Sequence, residues 1–129
     1  MAMVCSETRE IIDHYVEAYN SFDVPRMIQL LHKDIRFRNY SNGEIDTEAN
    51  GIQAFRELAE KSTKIFSSRR QSIVDCSAID DKIAVVIDYE GILAVDLPNG
   101  LKAGDKVQLK GKSVFRIEAE KISLIEDYS

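Results

Sequence analysis

The sequence predicts one α+β domain, in which three N-terminal helices pack on a strongly curved mixed or antiparallel sheet that encloses a pocket. Apolar residues recur at helical spacing through the first half of the chain. Beyond residue 70 the spacing changes to the two-residue alternation of strands, interrupted by Pro98-Asn99-Gly100 and Ala103-Gly104-Asp105. At 129 residues the chain can bury one core but not two, so residues 1–129 are read as a single domain.

The elements follow in order. Ser6 is the expected N-cap of a first helix running to Asn20, with Ile11, Tyr15, Ala18, Tyr19 and Phe22 on its buried side. Asp23 caps a short second helix that carries Pro25 in its first turn and stops near His32. Ile35, Phe37 and Asn39 then alternate with Arg36, Arg38 and Tyr40, a strand with one apolar and one basic face. Residues 41–50 are polar, contain Asn42-Gly43 and are expected to form a loop. After Gly51, Ile52, Phe55, Leu58, Ala59, Ile65 and Phe66 predict the longest helix of the three. Four strands complete the chain: Gln71 to Ala78, Lys82 to Val95, Lys106 to Glu118 and Lys121 to Tyr128.

Side-chain parity assigns faces to these strands. Ile83, Val85, Ile87, Tyr89, Gly91 and Leu93 point one way, as do Val107, Leu109, Gly111, Ser113, Phe115 and Ile117 on the next strand, and these are the expected inner faces. Asp88 and Glu90 share the outer face with Lys106, Lys110, Lys112 and Arg116, so this basic stripe reads as a solvated or dimer surface rather than an anion site.

Composition excludes several functions. A net charge of −5 argues against nonspecific nucleic-acid binding. Every apolar stretch is broken by charge before a membrane span is reached, and the first residues lack a secretion signal, so a cytoplasmic protein without membrane contact is expected. Cys5 and Cys76 read as two free thiols. His14 and His32 have no carboxylate or cysteine cluster around them, and no glycine-rich phosphate loop exists, so neither metal nor cofactor is expected.

The run from Ile11 to Tyr40, IIDHYVEAYNSFDVPRMIQLLHKDIRFRNY, resembles the start of the nuclear transport factor 2-like superfamily, whose cone-shaped fold SnoaL-like polyketide cyclases share with ketosteroid isomerases. The resemblance places Tyr15 where the isomerases keep an oxyanion-stabilising tyrosine, and Asn39 where they keep the proton-shuttling aspartate. Asparagine orients or polarises a ligand but abstracts no proton at neutral pH, which argues against isomerase chemistry of that type. Ser113 falls at the second acid of the isomerase oxyanion hole. The C-terminal VFRIEAEKISLIEDYS resembles the last strands of SnoaL-like proteins and implies Asp127 as an acid reaching the cavity, with Ile125 where those proteins often have histidine.

Strand register decides whether that acid is inside. Unbroken pairing of Ile117 with Ile122 turns Ile122, Leu124, Glu126 and Tyr128 inward, whereas one bulge residue turns Ser123, Ile125 and Asp127 inward. The expected site is therefore Asp127, or Glu126, with Tyr15 and Asn39, in a pocket lined by Tyr19, Phe37, Phe55, Tyr89, Ser113, Phe115 and Tyr128. The first functional reading is binding of a small lipophilic molecule by a homodimer. The second is an acid–base enzyme of the isomerase, cyclase, dehydratase or epoxide-hydrolase type, and the third a protein-interaction module with a closed or filled cone.

Overall fold

The computed structural model describes residues 3–128, with side chains from residue 9 onward. Helix α1 spans Met3–Asn20, α2 Val24–Gln29 and α3 Ile52–Thr63. The strands are β1 Leu31–Ser41, β2 Glu44–Asn50, β3 Phe66–Ile79, β4 Lys82–Leu93, β5 Lys106–Glu118 and β6 Lys121–Tyr128. They form one six-stranded sheet in the order β2-β1-β6-β5-β4-β3. It is mixed, because β1 and β6 run parallel while every other pair is antiparallel. The helices cover the concave face of this curled, open sheet, which gives the α+β cone expected from the sequence.

Local chemistry accounts for the element ends. Phe22 takes a left-handed φ of 61°. It thereby closes α1, with the Asp23 amide reaching back to the Ala18 carbonyl at 2.8 Å. The Asp23 carboxylate then accepts the Arg26 amide and caps α2, with Pro25 in the first turn. The core lies between α1, α3 and the sheet, with Ile12, Ile35, Val85, Phe115, Ile122 and Ile125 almost fully buried.

Several expectations need correction. Helix α1 begins at Met3 rather than Ser6, and at 18 residues it, not the 12-residue α3, is the longest. Ile65 and Phe66 leave the helical stripe because the chain turns at Lys64 to enter β3, where a large apolar pair suits a sheet equally well. Residues 41–50 form a hairpin instead of a loop: Asn42 and Gly43 both have positive φ, and Glu44–Asn50 pairs with β1. β2 and the 14-residue β3 are the two edges of the sheet, and edge strands need no continuous apolar face to be stable, so their sequences understate them. Cys76 is disulfide-bonded rather than a free thiol, since distance in sequence says little about distance in a fold. The side chain of Cys5 lies outside the described residues. Among the described residues no helix is long and apolar enough to cross a membrane.

Parity holds on the central strands. Ile83, Val85 and Ile87 are buried, and on the opposite face Lys110 meets Asp88 at 3.7 Å while Lys106 meets Glu90 at 3.7 Å.

Candidate functional site

A cavity of about 480 Å³ opens between α1, α3 and the concave sheet, a size that suits a drug-sized molecule. All ten residues predicted for the site from sequence line it, although they come from six different elements. α1 contributes Tyr15 and Tyr19 one turn apart, and β1 contributes Phe37 and Asn39 two residues apart on one face. Phe55 of α3 meets Phe37 edge to face with ring centroids 5.8 Å apart. Tyr89, Ser113 and Phe115 come from the inner faces of β4 and β5, and Asp127 and Tyr128 from the end of β6.

The final hairpin uses both of the alternatives left open by the sequence. Ile117 pairs with Ile122, as in the unbroken register, but Arg116 pairs with Leu124, so Ser123 is inserted as a bulge. From there Phe115 faces Ile125 and Ser113 faces Asp127. The bulge is why both Ile122 and Asp127 point inward. Glu126, the alternative acid, is turned away: it pairs with Arg38 at 3.4 Å and accepts the Tyr128 hydroxyl at 3.2 Å.

Asp127 is partly buried in the cavity wall, and removal from solvent raises its pKa from the usual carboxylate range to about 6, against the opposing effect of a hydrogen bond from Ser113 Oγ at 2.6 Å. Tyr15 lies within its field. Burial, reinforced by the Asp127 carboxylate, holds the Tyr15 phenol well above its ordinary value, so it is a neutral donor. Its ring packs edge to face on Phe115. Among the described residues no hydrogen bond engages the Tyr15 hydroxyl, which lines the cavity.

Asn39 has a different role. It is the register partner of Asp127 on the parallel neighbour strand. Its amide nitrogen donates 2.9 Å to Asp46 of β2, which also accepts Ser41 Oγ at 2.6 Å. Those two hydrogen bonds hold the exposed Asp46 carboxyl below its usual pKa. Asn39 therefore orients the cavity rim, and its carbonyl oxygen remains as an acceptor.

Sequence reasoning missed Arg69, Thr47 and Gln71, which also line the cavity. Arg69 is 5% exposed. It donates through Nε to the Tyr19 carbonyl at 2.9 Å and through a terminal nitrogen to Ser62 Oγ at 2.7 Å. Its guanidinium lies over the Tyr19 and Phe22 rings, 3.7 and 4.5 Å from their centroids. The available signal was parity: Arg69 pairs with Gly91, which was already assigned to the inner face. Among the described residues no cluster of His, Cys, Asp and Glu converges as a metal site would require.

A family model described as a SnoaL-like domain matches residues 12–125, nearly the whole described chain. The chain belongs to the SnoaL-like domain family. No curated protein matches it. Among solved structures, this SnoaL-like chain superposes on a candidate polyketide cyclase from Xanthomonas campestris pv. campestris with a TM-score of 0.81 at 17% identity, covering 96% of this chain and 90% of that one. A second candidate polyketide cyclase, from Pseudomonas putida, gives 0.72 at 22% identity, covering 95% and 90%. A protein from Catenulispora acidiphila with a ketosteroid isomerase-like fold gives 0.77 at 14% identity, covering 93% and 85%. At these identities the likeness establishes the nuclear transport factor 2-like cone for this SnoaL-like protein and leaves its chemistry to its own residues.

Proposed function

We propose that this SnoaL-like protein is an acid–base enzyme that moves a proton at carbon next to a carbonyl of a lipophilic substrate, the step common to aldol-type cyclisation and isomerisation. The observation that carries the reading is the inward Asp127, a carboxyl with a pKa of about 6 in a largely apolar cavity, which it shares with a neutral Tyr15 hydroxyl that has no acceptor among the described residues. The ionised Asp127 takes the α-proton, and the Tyr15 O–H donates to the carbonyl oxygen as negative charge gathers there. The protonated Asp127 then returns the proton to carbon or to a leaving oxygen. Ser113 fixes the carboxylate rotamer, while Asn39 orients the substrate at the rim. Tyr19, Phe37, Phe55, Tyr89 and Phe115 supply aromatic surface for a flat substrate.

Binding without turnover is the second reading. It is favoured by Asn39, which stands where the isomerase resemblance would put a base and is committed to Asp46. An open cavity of this size runs against the closed or filled cone that a pure protein-interaction module predicts.

Hydrogen–deuterium exchange at the α-carbon of lipophilic β-diketones, followed by NMR, tests catalysis without knowledge of the natural substrate. Wild type is expected to accelerate exchange, Asp127→Asn to lose on the order of 10²–10⁴-fold, and Tyr15→Phe about 10²–10³-fold. The rate should rise with pH through about 6 and then level, because the base form is required. Ser113→Ala removes the hydrogen bond that lowers the Asp127 pKa, so the limb should move to higher pH. Exchange no faster with wild type than with Asp127→Asn rejects the proposal.

A further inference from the structure

Arg69 is not needed for proton transfer at Asp127, and its surroundings are unusual for a buried cation. It lies on the cavity wall, 5% exposed, yet forms no ion pair with a carboxylate among the described residues. Its formal hydrogen-bond partners are a backbone carbonyl and a serine hydroxyl, both uncharged. The Tyr19 carbonyl belongs to the last turn of α1, and a helix C-terminus carries roughly half a negative charge at most. The guanidinium therefore keeps net positive charge in a low-dielectric cavity, an arrangement that is costly unless an anion completes it.

The groups next to it point the same way. Tyr19 and Tyr89 share one hydrogen bond between their hydroxyls at 3.0 Å, so whichever accepts still has its own O–H to give. Two bonds likewise do not exhaust the five N–H donors of a guanidinium. Phe22, held in its left-handed conformation at the end of α1, and the Tyr19 ring both lie against the guanidinium. Asn20 clamps the same strand, exchanging hydrogen bonds with the Gln71 backbone at 2.8 and 3.2 Å, so Arg69 is fixed in place before any ligand arrives.

We infer that Arg69, with the Tyr19–Tyr89 hydroxyl pair, forms an anion subsite in the cavity and that the ligand is a lipophilic carboxylate or comparable oxyanion. The inference takes the cavity as the ligand site, in common with the proposed function, but does not depend on proton transfer by Asp127. The ligand's anionic oxygens meet Arg69 between α1, β3 and β4, and its apolar body runs toward Phe55 and Phe115.

Calorimetric titration with 1-naphthylacetic acid and its neutral isostere 1-naphthylacetamide, at about pH 8 where the acid is fully ionised, tests this directly. Wild type should bind the acid at least about tenfold more tightly than the amide. Arg69→Met should abolish that preference while leaving amide binding nearly unchanged, and Arg69→Lys, which keeps the charge but not the planar fork, should retain part of it. If Arg69→Met does not fold, a clear fall in preference in Arg69→Lys supports the subsite and an unaltered one overturns it. Equal binding of acid and amide by wild type, an undiminished preference in a folded Arg69→Met, or no binding of either compound also overturns it. The titrations involve no turnover, so failure of the subsite and failure of the proton-transfer reading, which the exchange assay on Asp127→Asn tests, give different results.

Discussion

Asp127 at the residue scale couples stability to the proposed chemistry. Its unfolded pKa is near 4 and its folded one about 6, so the folded chain holds the proton more tightly. The stability that this proton contributes is fully present below pH 4 and is lost as pH rises through about 6. We predict that Asp127→Asn, which removes the charge but keeps an oxygen for Ser113, is more stable than wild type at pH 8 by at most about 3 kcal/mol. The gap should close as the pH falls toward 4, which urea denaturation at the two pH values will measure. A variant that gains stability while losing exchange activity would place Asp127 among residues kept for function rather than for folding. The sequence identified this residue only through resemblance, because nothing in Ile-Glu-Asp-Tyr says which acid faces inward.

Elements differ in how openly their sequences declare them. β5 and β6 have the predicted bounds, because their apolar alternation is forced by a buried face. The edge strands β2 and β3 look like a loop and a short strand in sequence, since each pairs on one side only and carries polar side chains. The same polarity hid Arg69, which looks like one more solvated charge in Ser-Ser-Arg-Arg until α1 and α3 close over it. Close approach between strands also overrides propensity at Gly111, where an added Cβ would meet the Tyr128 carbonyl oxygen at 3.0 Å. Valine is ordinarily a better strand residue than glycine. Even so, Gly111→Val should destabilise the protein by about 1–3 kcal/mol, read as a lower denaturation midpoint at unchanged slope. An unchanged or higher midpoint would mean that the end of β6 yields freely.

For the whole molecule, the outer sheet face bears on assembly. Val86, Ile92 and Val114 are half-buried there among cross-strand ion pairs, and we propose that this face joins two copies. Light scattering after size exclusion should give the mass of a dimer, and Val86→Glu with Val114→Glu should give a monomer. A monomeric wild type would refute the pairing. The cavity opens on the other side of the sheet, so a ligand at 100 times its dissociation constant should still add about 2.7 kcal/mol of stability to the monomeric variant. Thermal unfolding with the tightest-binding naphthyl compound will measure that.

Sequence alone determined the α+β plan, the inner faces of the central strands and the aromatic lining, because periodicity follows directly from which face is buried. The resemblance of the opening run implied a shared cavity for Tyr15 and Asn39. Only the tertiary structure decided which acid is inside, since one bulge at Ser123 exchanges every later side chain between faces. Tertiary contacts likewise committed Asn39 to Asp46 and buried Arg69 without a carboxylate partner among the described residues. Such outcomes depend on what packs over a polar group and what stands opposite it, and those neighbours come from distant parts of the chain.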